Sequence, residues 1–378
     1  MNRQGRRLTG RGIPGGGGGA RLTPISGIGG KGPACFLVEV ADRRLVLDIG
    51  VGPDIGQEAD VRGIGRVNAL VLSHAHGDHA GGLHLLGQIG NPPVYATDIV
   101  ASQITMPDGG AVRTLPLRGC IDVSGIKVTT GRNGHSPGGV WLHLDVGHGV
   151  LYAGDTCVES EIYAFDDPPP AATAIIDASD GFSDEPQSAC RRSLRRALAG
   201  RQALLPVPAT GRGPEIALFV LEAMQRPPAL CGTLRRTLER LIGPWRDALR
   251  PGADERLSRV LAAARPLCDV PDGIALATNA NANQGESARL LPLWHERDDV
   301  AVVLTGYVPR GTPVMAASEA GRATSLRWNV HPRLSDNAAM LRSVGARAVV
   351  PAFVAVGSRA AWENAFASLQ VAFEPLDV

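Results

Sequence analysis

The 378-residue sequence predicts an α/β fold, and three observations carry that expectation. Short apolar runs repeatedly lead into polar residues, as in Arg44-Leu45-Val46-Leu47-Asp48 and in Val67-Asn68-Ala69-Leu70-Val71-Leu72 before Ser73-His74. Brief apolar runs bounded by turn formers read as buried strands. From residue 188 onward such runs alternate with amphipathic helical stretches, the rhythm of a parallel α/β unit. With 44% hydrophobic residues, the chain has the material for a sizeable core around those elements.

Taken in order, residues 1–21 hold Arg3, Arg6, Arg7, Arg11 and Arg21, no acid, and the run Gly15–Gly19. This composition reads as a disordered tail. It is either a weak electrostatic tether to nucleic acid or a solubilising extension, and the second is preferred. Residues 22–187 carry the strands and glycine loops of a first domain. The segment 188–325 is expected to be an inserted domain. It has a helix over 188–198, a strand over 203–207 and a helix over 216–224. More helices follow within 226–272. The segment ends in strand 273–278, helix 286–295 and strand 300–305. Residues 326–378 return to the first domain, with a strand at 326–330, a helix at 336–343, a strand at 348–351 and a helix at 359–369. Pro214 suits the first turn of its helix, where no intrahelical N–H is needed. No internal repeat is evident.

The chemistry centres on Ser73-His74-Ala75-His76-Gly77-Asp78-His79. His74 and His76, two apart on an extended segment, point the same way and can converge on one ion. Asp78 and His79 lie where the chain turns into a helix and can face a neighbouring site. Imidazole and carboxylate donors together suit zinc or a similar divalent ion. Asp48, at its strand end, is placed to orient such ligands. Further polar residues stand beside glycines at Gly134-His135 and Gly154-Asp155.

These motifs resemble the metallo-β-lactamase fold: Asp48, the His-x-His-x-Asp-His cluster, His135 and Asp155 succeed one another in its order. The resemblance implies a four-layer αβ/βα sandwich with metals at the strand ends. It implies His74, His76 and His135 on one metal, Asp78 and His79 on a second, and Asp155 bridging. The inserted α/β unit resembles the β-CASP domain of metal-dependent nucleases. The resembling segments are Leu204-Leu205-Pro206-Val207-Pro208-Ala209-Thr210-Gly211-Arg212, Val302–Thr312 and Ala174-Ile175-Ile176-Asp177. It implies a catalytic Asp177 and, at the return into the first domain, a catalytic His331. The Asp177–His331 pair would act as general acid, beside Asp78. A last metal-ligating His is implied at the strand end where Phe353 stands. One tightly bound zinc is therefore expected, and a second weak or absent. Gly211 and Arg212, before a helix N-terminus, are candidate phosphate contacts.

The leading function is therefore a zinc-dependent ribonuclease on single-stranded RNA. A small-molecule metallo-hydrolase of thioesters, lactones or phosphoesters is the alternative, as is a catalytically weak RNA-binding scaffold. The formal net charge of +1 says nothing about nucleic acid. The Arg191, Arg192, Arg195 and Arg196 face lines a groove or, preferred, is solvated surface. His84, His143, His148 and His295 read as structural or surface residues, and Cys157 as a small buried one. Scattered cysteines argue for a reducing compartment. No apolar stretch long enough for a membrane span is present, and no signal peptide is recognisable, so the expected location is cytoplasmic. A homodimer is compatible with the sequence.

Overall fold

The computed structural model describes residues 19–54 and 56–378. Two seven-stranded sheets face one another, and a six-stranded sheet stands apart from them. The first sheet runs Leu376–Asp377, Ala20–Ser26, Cys35–Val40, Arg43–Leu47, Ala69–Val71, Val94–Thr97 and Val112–Leu115. The second runs Gln370–Val371, Ala348–Ala352, Thr173–Asp177, Val150–Tyr152, Val140–Leu144, Ile126–Arg132 and Gly119–Val123.

Strand alternation builds the layers. Leu45, Leu47, Ala69 and Val71 point inward, where they meet Val140, Leu142, Tyr152, Ile175 and Val350 of the facing sheet. Their chain neighbours Val46, Leu70 and Leu72 point outward onto Leu83, Leu86 and Ile89. On the far side, Leu151, Ala174, Ile176 and Val349 pack against Leu341 and Trp362. Strands buried on both faces need apolar residues at successive positions, which is why these segments read as continuous runs. Each fully buried Leu, Ile or Val contributes roughly 1.5–3 kcal/mol of transfer free energy. This is the four-layer α/β sandwich that the motifs imply.

The third sheet is parallel throughout. Its order is Arg265–Pro266, Ala229–Leu230, Ile274–Ala277, Gln202–Pro206, Val300–Leu304 and Thr324–Ser325. Helices Gln187–Leu198, Arg212–Glu222, Gly232–Ile242 and Ala253–Ala263 supply one core face. Gly285–Trp294 and Pro313–Glu319 cover the other.

Three sequence expectations need correction. The first strand begins at Ala20, inside the segment expected to be tail, because Ala20 and Leu22 are buried in the sandwich while exposed Arg21 pairs in register with Asp377. Residues 1–18 of that tail lie outside the described residues. The stretch 326–330 is not a strand. After Leu326, whose N–H still donates to the Leu304 carbonyl (2.8 Å), backbone groups turn to side chains: Asn329 N–H donates to Gln187 Oε1 (2.8 Å), and the Val330 carbonyl accepts from His135 Nδ1 (2.6 Å). The last helix is shorter than expected, Arg359–Ala365.

Candidate metal centre

The centre forms where strands of the two facing sheets end. Ala69–Val71 delivers Ser73, His74 and His76, and the turn Gly77–Ala80 carries Asp78 and His79. That turn presses directly on the end of Arg43–Leu47: a Cβ on Gly50 would lie 1.8 Å from the Asp78 carbonyl oxygen, so only glycine fits. Gly134, at φ +71°, lets the next loop turn against the Cys157 carbonyl and present His135. Asp155 follows Val150–Tyr152, and Asp177 closes Thr173–Asp177.

Donor atoms converge around Asp155. His76 Nδ1 lies 3.1 Å from His74 Nε2 and 2.9 Å from His135 Nε2. Asp155 Oδ2 is 3.8 Å from His74 Nε2 and 3.4 Å from His135 Nε2. Donors held by one tetrahedral zinc at about 2.0–2.1 Å would stand roughly 3.4 Å apart. On the other side, His79 Nε2 and Asp155 Oδ1 are 3.0 Å apart. Both are buried, yet neither has a hydrogen-bond partner, because they are not aligned for one. Such orphans are costly in a protein interior. A cation between them satisfies both, so the residues present fit a metal ion.

The remaining nitrogen of each imidazole is occupied. His135 Nδ1 donates to the Val330 carbonyl, and His79 Nδ1 donates to Asp48 Oδ2 at 2.7 Å. Ser73 Oγ donates to Asp48 Oδ2 (2.6 Å) and so accepts from His74 Nδ1 (3.1 Å). His76 Nε2 donates to Thr210 Oγ1 (3.2 Å), at the edge of the third sheet's layer. These contacts fix each tautomer so that a lone pair faces the centre. Asp48 also takes the Ser73 N–H and the Tyr152 hydroxyl, each at 2.6 Å. Burial, reinforced by neighbouring imidazoles, holds His74, His76 and His135 below the usual histidine pKa. Neutral imidazoles are what a metal ion needs. His79 is also buried, but two carboxylates, Asp155 and Asp48, outweigh that and push it up.

Three groups of donors therefore stand within reach of one another: His74, His76, His135 and Asp155; Asp78, His79 and Asp155; and Asp155, Asp177 and His331. In the third, His331 Nδ1 donates to Asp177 Oδ2 at 2.8 Å. Asp177 is fully buried and also accepts from the Thr156 and Ser179 N–H groups. Burial works against an imidazolium at His331, but Asp177 outweighs it and the pKa rises. Phe353 follows Ala348–Ala352 with φ +66°. Its ring lies edge-on to His79, centroids 5.5 Å apart, so an apolar face closes that side of the centre.

A cavity of about 820 Å³ opens above these groups. Its floor includes His76, Asp78, His135, Asp155 and His331. Its roof comes from the carboxyl ends of the third sheet's central strands: Pro208 and Arg212, then Asn279, Asn281 and Gln284, then Thr305, Gly306 and Tyr307. The crevice beyond the carboxyl ends of a parallel sheet is where open α/β folds bind ligands. Arg212 lies flat on Gly306, where a Cβ would fall 2.4 Å from its guanidinium. Burial lowers its pKa to about 10, and its Nε has no hydrogen-bond partner. Gly211, at φ +63°, makes the turn before the Arg212–Glu222 helix and packs near His76.

Arg191, Arg192, Arg195 and Arg196 do not line the cavity. Arg191 pairs with Glu161 and lies over Phe219, and Arg195 caps the Ala223 carbonyl. Cys157 is buried with its thiol toward the Asn329 carbonyl, away from the cavity. Sequence reasoning missed Thr210, the Val330 carbonyl, Tyr152 and Lys31. Each contacts its partner at the centre across a long stretch of chain, so no local pattern marks the contact.

The metallo-β-lactamase superfamily model matches residues 28–207. The matched segment carries the metallo-β-lactamase motifs, from Asp48 through the His74–His79 cluster and His135 to Asp155. It is 27% identical over 250 residues to transcription termination factor FttA of Cenarchaeum symbiosum, covering 53% of this chain and 38% of that protein. It is 24% identical over 359 residues to endoribonuclease YSH1 of Saccharomyces cerevisiae, covering 76% and 46%. With FttA of Methanocaldococcus jannaschii the identity is 25% over 388 residues, covering 84% and 59%. The chain thus spans about half the length of the curated relatives it matches. These similarities and the parallel third sheet agree with the β-CASP resemblance of the sequence. A crystal structure of a protein of unknown function from Enterococcus faecalis shares the fold, with TM-score 0.58, 14% identity and coverage of 95% of this chain and 100% of that one. Among the described residues no helix is long and apolar enough to cross a membrane.

Proposed function

We propose that this protein is a zinc-dependent phosphodiester hydrolase that cleaves single-stranded RNA. The observation that carries the reading is one cavity with a metal-donor cluster and an Asp–His pair on its floor and an unpaired arginine in its roof. The RNA-related names of the relatives support the substrate class.

When bound, the ion supplies Lewis-acid activation of water and charge to meet the phosphate. His74, His76, His135 and Asp155 would hold it, and they fit zinc by donor type. Asp78, His79 and the shared Asp155 would hold a second ion only weakly, since Phe353 offers no donor on that side. The chain's own residues do the rest. Asp177 orients His331 and stabilises its imidazolium. The other ring nitrogen, Nε2, lies at the cavity wall beside Lys31 Nζ (3.3 Å) and can protonate the leaving oxygen. Asp78 stands on the cavity floor where it can orient the attacking water. Arg212 offers a guanidinium with no competing carboxylate to a phosphate along the strand, with Gly211 shaping the turn beside it.

The test is direct. Purified protein is incubated with end-labelled single-stranded RNA and DNA, with and without chelator, and the product ladder is read. Chelator-sensitive cleavage of RNA in preference to DNA is the expected result. Binding without cleavage would favour a catalytically weak scaffold, and neither binding nor cleavage would end the nucleic-acid reading.

A further inference from the structure

Lys31 belongs to a rare residue type in this chain, because it and Lys127 are the two lysines among 38 basic residues. It sits in a glycine loop that is pinned at several points. Gly29 N–H donates to the Val354 carbonyl (2.9 Å), and the Gly27 carbonyl accepts from Phe353 N–H (2.6 Å). Ser26 Oγ donates to the Pro33 carbonyl (2.7 Å) and closes the base of the loop. The loop is thus seated on the strand end that carries Phe353. It projects Lys31 into the cavity, where the ammonium lies 3.3 Å from His331 Nε2 and 5.7 Å from the centre of the Tyr307 ring.

No carboxylate pairs with this ammonium among the described residues. Asp180, also on the cavity wall, is engaged by Arg327 at 3.5 Å. On the other face of the imidazole, Nδ1 is committed to Asp177 at 2.8 Å. Nε2 and the ammonium therefore face each other across one narrow gap. An anionic oxygen placed beside that gap lies within reach of both nitrogens.

We propose that Lys31 is a catalytic residue that shares the leaving oxygen of the scissile phosphodiester with His331. This rests on the phosphodiesterase reading. In the step, the water oxygen bonds to phosphorus and gives up its proton to Asp78. The P–O bond to the leaving group breaks and its electron pair goes to that oxygen. His331 Nε2 delivers a proton to the same oxygen. Lys31 keeps its own proton throughout and meets the developing negative charge by hydrogen bond and Coulomb attraction.

The experiment compares Lys31→Met and Lys31→Arg with the wild-type metal-loaded protein on two substrates: a single-stranded RNA oligonucleotide, and bis(p-nitrophenyl) phosphate, whose leaving group needs little help. Lys31→Met is expected to lower kcat on RNA by about 10²-fold, the worth of one donor to a developing oxyanion. Its loss on bis(p-nitrophenyl) phosphate should stay below about tenfold, because nitrophenolate leaves unaided. Lys31→Arg should retain clearly more RNA turnover than Lys31→Met. Metal content and melting temperature should not change in either variant. Unchanged RNA turnover in Lys31→Met, or equal losses on both substrates, would overturn the assignment while leaving the nuclease reading standing. A wild-type protein that cleaves neither substrate would remove that reading, and this role with it.

Discussion

On one side of Asp155 three imidazole nitrogens converge within 3.1 Å of their nearest neighbour; on the other side one imidazole and Asp78 face an aromatic ring. Both halves share the same carboxylate, the same burial and the same supporting Asp48–Ser73–Tyr152 network. They differ in what the last strand of the sandwich contributes. Ala348–Ala352 arrives in register beside Thr173–Asp177, so the backbone is in place to present a ligand. The residue presented is Phe353. On the proposed reading this leaves a scaffold for two ions whose donors favour one. A fold positions a site, but side-chain chemistry at a single position sets how many ions that site holds.

The largest effect expected on this comparison comes from the richer half. His135→Ala removes one of four donors and should take retained metal after dialysis from about one ion per chain to nearly none, with activity lost alongside it. If the ion stays, the first group is not where it binds.

Next in size is His331→Ala, at a residue 3.7 Å from the shared Asp155 but outside the donor groups of both halves. Metal content should hold while kcat on RNA falls by about 10²–10⁴-fold, the usual worth of a positioned acid. Zinc loss in this variant would place His331 among the ligands and redraw the boundary between the halves.

Phe353→His sharpens the comparison from the poorer side. Retained metal should rise toward two ions, since the strand end already points at His79. No rise would show that something other than the missing imidazole limits the second half.

The smallest effect concerns the joint that carries the first half's support. Glu215 is buried, accepts from Ser160 and from Trp328 Nε1 (2.9 Å), and so holds the segment whose Val330 carbonyl fixes His135. Burial raises its pKa from 4.5 to about 7. The folded state then binds a proton more tightly than the unfolded chain, so stability falls as pH rises from 4.5 through about 7. The loss is on the order of 3 kcal/mol for a shift of this size. Glu215→Gln should flatten that part of the stability profile in a denaturant titration run at several pH values. A slope equal to wild type would exclude Glu215 as its source. Metal content of both halves should not respond.

What the sequence made legible follows from distance along the chain. His74, His76, Asp78 and His79 lie within six residues, so their convergence is written in their spacing. His135, Asp155 and Asp177 each end an apolar strand and could be ordered by family pattern. Thr210 reaches His76 across 134 residues, the Val330 carbonyl reaches His135 across 195, and Lys31 reaches His331 across 300. No periodicity encodes such contacts. The stretch 326–330 misled for a related reason: its apolar alternation suits a strand, but Trp328 and Val330 alternate into the third sheet's core while the backbone bonds to side chains. Alternation reports burial and leaves open what the backbone pairs with.

The central claim, an intact two-ion scaffold with donors for one, is tested most directly by counting metal. Protein purified without added metal and dialysed extensively is assayed by elemental analysis against its own concentration. About one zinc per chain is the predicted result. Two tightly retained ions per chain would contradict the account, because the half closed by Phe353 would then bind as firmly as the half with three imidazoles.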